Sequence, residues 1–232
     1  MRPRYELYHL IGRGADFVKH PDGWSDDHEL KKVWGTALSS KHRTFYNYSS
    51  EIVIDQTNVS VVCAPENVVS LLSNIHIVWS LAQGGTLGSS TSRYTPSVCY
   101  ETFPFPVEAP KDFALMVESY DKLRRDIMCR EKIGLTQLYN GLNDPNLKTN
   151  EYDDLREIQI QIDNAVRDAY GWTDLDLEHG FHEVGYLPAN DNIRFTISEP
   201  ARIEVLKRLA KLNKERWEEE EKAGLHKKKG GK

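Results

Sequence analysis

Six residues in a short stretch, Thr86, Ser89, Ser90, Thr91, Ser92 and Arg93, carry the side chains best suited to reading another molecule's hydrogen-bonding edge. A guanidinium donates two parallel hydrogen bonds to guanine O6 and N7, and serine or threonine hydroxyls contact any base or phosphate. The alternative is a surface loop with one solvated arginine. Lys41-His42-Arg43 is the second group. Placed just before a strand, it has the charge to hold nucleic-acid phosphates and fix register, whereas most basic triplets are simply solvated. In the strand that follows, Thr44, Tyr46 and Tyr48 alternate with Phe45 and Asn47, so one face can stack on a sugar or base or form a packed sheet face.

Other constellations are weaker. Asp22, Glu29 and Lys31 imitate the acidic-plus-lysine pattern of magnesium nucleases, but the gap between the acids is short and lacks strand-like sequence. Gly12-Arg13-Gly14 is a lone Gly-x-Gly and reads as a turn. His179 and His182 have helical ligand spacing, yet Gly180 lies between them and no third ligand is evident. The ten prolines never occur as a pair, so an Asn-Pro-Pro-Tyr loop for a flipped adenine is absent. No Walker loop, nucleophile elbow or Cys/His catalytic signature occurs either. The chain is expected to be non-catalytic by itself, with no catalytic, cofactor-binding or metal residues.

These groups need positioning elements. Thr44 to Tyr48, Glu51 to Asp55 and Asn58 to Cys63 read as short strands, with Asp55-Gln56-Thr57-Asn58 as a hairpin turn. From Pro65 the run Val68, Val69, Leu71, Leu72, Ile75, Val78, Trp79 and Leu81 predicts one helix buried on most sides, ended by Gly84-Gly85 through positive φ. Pro104, Pro106 and Pro110 predict a stiff connector and a domain boundary. Beyond it, Phe113, Met116, Tyr120, Leu123 and Ile127 form a narrow apolar seam, repeated by Leu155, Ile158, Ile162, Ala165 and Ala169 with Gly171 as cap. Residues 134–150 read as a loop. Ile193 to Ile197 reads as a strand, and Ser198-Glu199-Pro200 opens a last helix with Ile203, Leu206, Leu209 and Leu212 on its apolar side.

The fold class is therefore α+β: a small α/β unit over residues 1–110, a mainly helical unit over 111–223, and a disordered Lys/Gly tail over 224–232. The net charge of −5 argues against a non-specific, strongly salt-dependent grip on nucleic acid, while leaving room for one local basic face. Cys63, Cys99 and Cys129 support neither a disulfide framework nor a zinc knuckle. No run of eighteen apolar residues occurs, and no signal-peptide core follows Met1-Arg2-Pro3-Arg4, so a cytoplasmic location without membrane partners is expected.

Three longer matches carry a family resemblance: Ser39-Ser40-Lys41-His42-Arg43-Thr44-Phe45-Tyr46, Ser73-Asn74-Ile75-His76-Ile77-Val78-Trp79, and Arg93-Tyr94-Thr95-Pro96 followed by Glu101-Thr102-Phe103-Pro104-Phe105-Pro106. Shorter ones continue at Gly134-Leu135-Thr136, Tyr139-Asn140, Asn143-Asp144-Pro145-Asn146, Leu155-Arg156-Glu157 and Asp168-Ala169-Tyr170-Gly171-Trp172. Together they resemble the C-terminal region of class I adenine-specific DNA methyltransferases of the combined restriction-modification type (MmeI-like, type IIG or IIL). The resemblance implies a target-recognition domain followed by a helical domain. It implies double-stranded DNA as partner, with Thr86, Ser89, Ser90, Thr91, Ser92 and Arg93 reading bases and Lys41, His42 and Arg43 holding backbone. S-adenosylmethionine, with magnesium where a nuclease is present, would belong to a methyltransferase catalytic domain acting in cis or in trans. A stand-alone specificity subunit and a protein-interaction module that touches no DNA are the alternatives.

Overall fold

A computed structural model of the chain describes residues 32–49, 55–61, 65–87 and 91–226. Strands β1 (Lys32–Ala37), β2 (Ser39–Ser40), β3 (Tyr46–Ser49) and β4 (Asn58–Val61) come first, then helices α1 (Pro65–Leu72) and α2 (Asn74–Gln83). Strands β5 (Gly85–Leu87) and β6 (Thr91–Arg93) precede α3 (Pro96–Cys99), α4 (Phe113–Glu131), α5 (Leu135–Leu142) and α6 (Asn150–Ala169). The chain continues with β7 (Gly180–Glu183), β8 (Ile193–Thr196) and α7 (Glu199–Lys222). The α+β class is the one observed, with three small antiparallel sheets ordered β3-β1-β4, β2-β6-β5 and β7-β8. No helix among the described residues is long and apolar enough to cross a membrane. Asp22, Glu29, Lys31 and the Gly12-Arg13-Gly14 turn lie outside the described residues, as do Ser89 and Ser90 and the tail from 227.

The first sheet is built around β1, which separates β3 from β4. Tyr46 and Tyr48 lie over it: Tyr46 OH donates to Asn58 Oδ1 (2.5 Å) and Tyr48 OH to Ser60 Oγ (2.8 Å), both on β4. Gly35 makes room, since a Cβ there would come within 2.7 Å of the Tyr48 ring. Both rings stay half-buried. The Asp55 turn forms as expected, with Asn58 N donating to Asp55 O (3.0 Å) and Thr57 N to Asp55 Oδ1 (2.8 Å).

The single buried helix expected from Pro65 is two. Ser73 adopts extended geometry, donates to Ser70 O (2.7 Å) and accepts from His76 N (3.3 Å), so it N-caps α2 and breaks the run. Gly84 ends α2 at φ −75°, not by positive φ. Its glycine is needed for close approach, because a Cβ would collide with the Arg93 and Ser80 carbonyl oxygens. Gly171 does take positive φ (+73°) after α6. Residues 135–142 are helix instead of loop: Leu135, Leu138, Tyr139 and Leu142 follow i, i+3, i+4, i+7 spacing and face the core. Arg156 on α6 donates to the Gly141, Leu142, Asp144 and Leu147 carbonyls, satisfying that helix's C-terminal end.

Ser198 caps α7 by accepting from Ala201 N (3.3 Å). The buried stripe of α7 is Ala201, Val205, Leu209 and Asn213, rotated from the one expected, and Ile203 is exposed. Residues 224–226 turn back on α7, where His226 Nε2 meets Glu220 Oε2 at 2.8 Å and its ring stacks on Trp217. The proline segment is docked: Tyr170 OH donates to Pro104 O (3.0 Å), Asn213 to Thr102 O (2.7 Å) and Arg216 to Phe105 O (2.5 Å). One apolar core runs through Phe45, Trp79 and Phe103 on one side of Pro110 and Tyr120, Leu155 and Leu209 on the other.

Candidate functional site

The corner between β2 and β3 carries Lys41, His42 and Arg43, and most of its polarity is used internally. Arg43 is 5% exposed. Its guanidinium donates to Thr36 Oγ1 (2.8 Å), Ala37 O, Ser92 O (3.0 Å) and Ser92 Oγ (3.1 Å), and lies 5.2 Å from the Tyr94 ring centroid. Burial lowers its pKa to about 10, which still leaves it charged at neutral pH. Arg43 thus ties β1 to β6 through these internal hydrogen bonds.

His42 also has partners within the protein. Desolvation lowers its pKa to about 4, so its ring is neutral. Nε2 sits 2.8 Å from Asn140 Oδ1 and must donate; Nδ1 is then the acceptor facing Asn143 Nδ2 at 3.4 Å. The ring stacks on Tyr139 with centroids 6.0 Å apart. Lys41 alone of the three offers charge to solvent, and it is shared: Nζ donates to Asn140 Oδ1 (3.0 Å) and pairs with Asp191 Oδ2 (2.9 Å).

The expected reading loop is a β-hairpin. β6 pairs with β5 through Gly85↔Arg93, Thr86↔Ser92 and Leu87↔Thr91, and with β2 through Ser39↔Arg93 and Ser40↔Ser92. Side chains alternate across a strand, so Ser40, Thr86 and Ser92 share one face while Thr91 and Arg93 start from the other. Ser92 is spent on Arg43 and on Ser40 O (3.2 Å). Thr86 and Arg93 are exposed and Thr91 is half-buried. The hairpin's root is fixed where Tyr94 N donates to Leu38 O (2.8 Å) and the Tyr94 side chain enters the core. Exposed polar side chains on strands anchored at one end suit a reading element.

Beside the hairpin lies a cleft of about 450 Å³. Thr86, Thr91 and Ser92 form part of one side, α2 supplies an apolar wall at Ile77 and Leu81, and the segment 185–202 closes the far side with Tyr186, Arg194 and Arg202. Its charged lining is Lys41, Arg43, Arg194 and Arg202 against Glu199 alone. In a chain of net charge −5 this is a local cationic concavity. Arg194, Arg202 and Tyr186 were not expected here; the arginines come from strand- and helix-like stretches and Tyr186 from a turn, and their sequence gives no hint of the corner they face.

The histidine pair does not converge. His179 Nε2 meets the buried carboxylate of Asp163 at 2.9 Å, while His182 Nε2 bonds Glu178 O at 2.8 Å, and β7 rather than a helix carries His182. Among the described residues no group of three or more His, Cys, Asp or Glu is arranged to hold a metal ion.

No protein-family model matches the chain, and no curated protein matches it. Among solved structures it is similar to the type IIL restriction-modification enzyme MmeI, determined in complex with DNA, at 18% identity and a TM-score of 0.52. The similarity covers 81% of this chain and 22% of that one, so the chain spans about a fifth of the length of the enzyme it matches. At this identity the likeness is one of fold.

Proposed function

We propose that this chain is the sequence-specific DNA-recognition portion of an adenine-N6 methyltransferase or fused restriction-modification enzyme, and that it carries no chemistry itself. The observation that supports this reading is the β5–β6 hairpin, stiffened at its root by Arg43 and Tyr94, with exposed Thr86 lining a cationic cleft and exposed Arg93 on the opposite face. The shared fold adds to it, because the similar enzyme was solved with DNA bound. In this reading Arg93, Thr86 and Thr91 meet base edges, together with Ser89 and Ser90 of the same stretch of sequence. Ser92 acts from behind as a hydrogen-bonded support. Lys41 supplies backbone charge; His42 and Arg43 hold the corner's shape.

Methyl transfer from S-adenosylmethionine, and any magnesium-dependent cleavage, belong to a catalytic segment in cis or a separate chain in trans. That segment takes the adenine out of the stack. The helical half, α4 to α7, braces the hairpin against it. Co-purification with a catalytic partner would distinguish the trans arrangement. The direct test is binding of labelled duplexes of varied sequence at low salt in the presence of competitor DNA. Retention of a preferred sequence against competitor is the expected result. Equal loss of every duplex would overturn the reading in favour of a protein-interaction module.

A further inference from the structure

Arg194 is the arginine of the cleft with a buried terminal nitrogen that lacks a partner among the described residues. It is 9% exposed; Nη1 donates to Ile193 O (2.7 Å) and lies 3.4 Å from Asp191 Oδ1, while Nη2 is buried without an acceptor. A buried donor of a charged group left unbonded is costly, more so than for a neutral one. The surrounding charge is also unbalanced. Lys41 and Arg194 share the single carboxylate of Asp191, and Arg202 is matched by Glu199 (2.6 Å). Arg43 bonds only neutral oxygens among the partners described above. The cleft thus holds two more positive charges than its carboxylates neutralise.

We propose that the cleft binds a phosphate ester, with Arg194 as principal donor and Lys41 and Arg202 as flanking charges. One or two negative charges on oxygens able to accept from a guanidinium edge match both the surplus and the unused Nη2. A bare ion would leave most of a cleft of about 450 Å³ empty. The apolar wall at Ile77 and Leu81, with the rings of Tyr139, Tyr186 and Phe195 nearby, suits the planar body of a nucleotide. The ester is either a phosphodiester within a strand or a free nucleotide. This inference does not depend on base reading by the hairpin.

The test is titration calorimetry of this chain with inorganic phosphate, adenosine monophosphate and a short single-stranded oligonucleotide, in wild type, Arg194→Gln and Lys214→Gln. Arg194→Gln should bind at least about tenfold more weakly, the equivalent of one hydrogen bond to a charged group. Lys214→Gln, at an exposed position of α7 outside the cleft, should bind these probes as wild type does, which separates this site from non-specific charge attraction. Binding confined to the oligonucleotide assigns a strand phosphodiester; binding of the monophosphate as well assigns a free ester. Where Arg194→Gln alters the circular dichroism spectrum, the double variant Lys41→Gln/Arg202→Gln takes its place with the same expected loss. Absence of binding by all three probes, or unchanged affinity in a folded variant, overturns the proposal.

Discussion

The corner at residues 41–43 and the β5–β6 hairpin touch through Ser92, yet they use their polar groups in opposite ways. The corner turns inward: Arg43 serves four oxygens, His42 is held neutral between two asparagines, and Lys41 shares Asp191. The hairpin satisfies its backbone in a three-stranded sheet and keeps Thr86 and Arg93 in solvent. A residue's capacity to bond a partner is therefore not its availability. Substitution should accordingly affect stability at the corner and specificity at the hairpin.

The largest effect belongs to Arg43. Arg43→Ala leaves the acceptors of Thr36, Ala37 and Ser92 without their donor and should cost at least about 1.5–3 kcal/mol, read by chemical denaturation. An unchanged denaturation midpoint would dissolve the contrast, because Arg43 would then be free for a ligand. Arg93→Ala should show the reverse pattern: no loss of stability, and about 1–3 kcal/mol lost at one base position if the contact is bidentate.

Acid sharpens the same comparison. Burial lowers His42 to about 4 and His76 to about 3 from an ordinary 6.5. The unfolded chain takes up these protons first as pH falls. Their contribution is therefore complete above pH 6.5 and is lost progressively down to about 4 for His42 and 3 for His76. Denaturation of His42→Gln at pH 7 and pH 4.5 should show a smaller acid loss than wild type. The smallest effect is at Lys41: Lys41→Ala should weaken all duplexes about equally and reduce the salt slope by about one.

Patterns confined to one element were legible in the sequence. The seams of α4 and α6, the Ser198 cap, the Gly171 terminus and the Asp55 turn all depend on near neighbours. Elements set by distant partners were not. β1 needs β3 and β4 on either side, and β7 exists because β8 pairs with it. The break at Ser73 was hidden because apolar residues continue at helical spacing on both sides of it, although Ser-Asn before an apolar period is itself a capping signal. The site divides in the same manner. The polarity of residues 86–93 was visible, though it read as a loop and not as the paired strands β5 and β6, whereas the burial of Arg43 depends on carbonyls at residues 37 and 92. The cleft needs Arg194 and Arg202, more than a hundred residues beyond Thr86. Single-sequence reading has no access to such meetings.

The central claim is that the exposed hairpin side chains read base pairs from a root anchored by Arg43 and Tyr94. Selection of bound sequences from a randomised duplex pool, by wild type and by Arg93→Ala of equal stability, tests it most directly. The account predicts that Arg93→Ala relaxes the preference at one base-pair position and leaves the others intact. The same preference at every position in both proteins would contradict it.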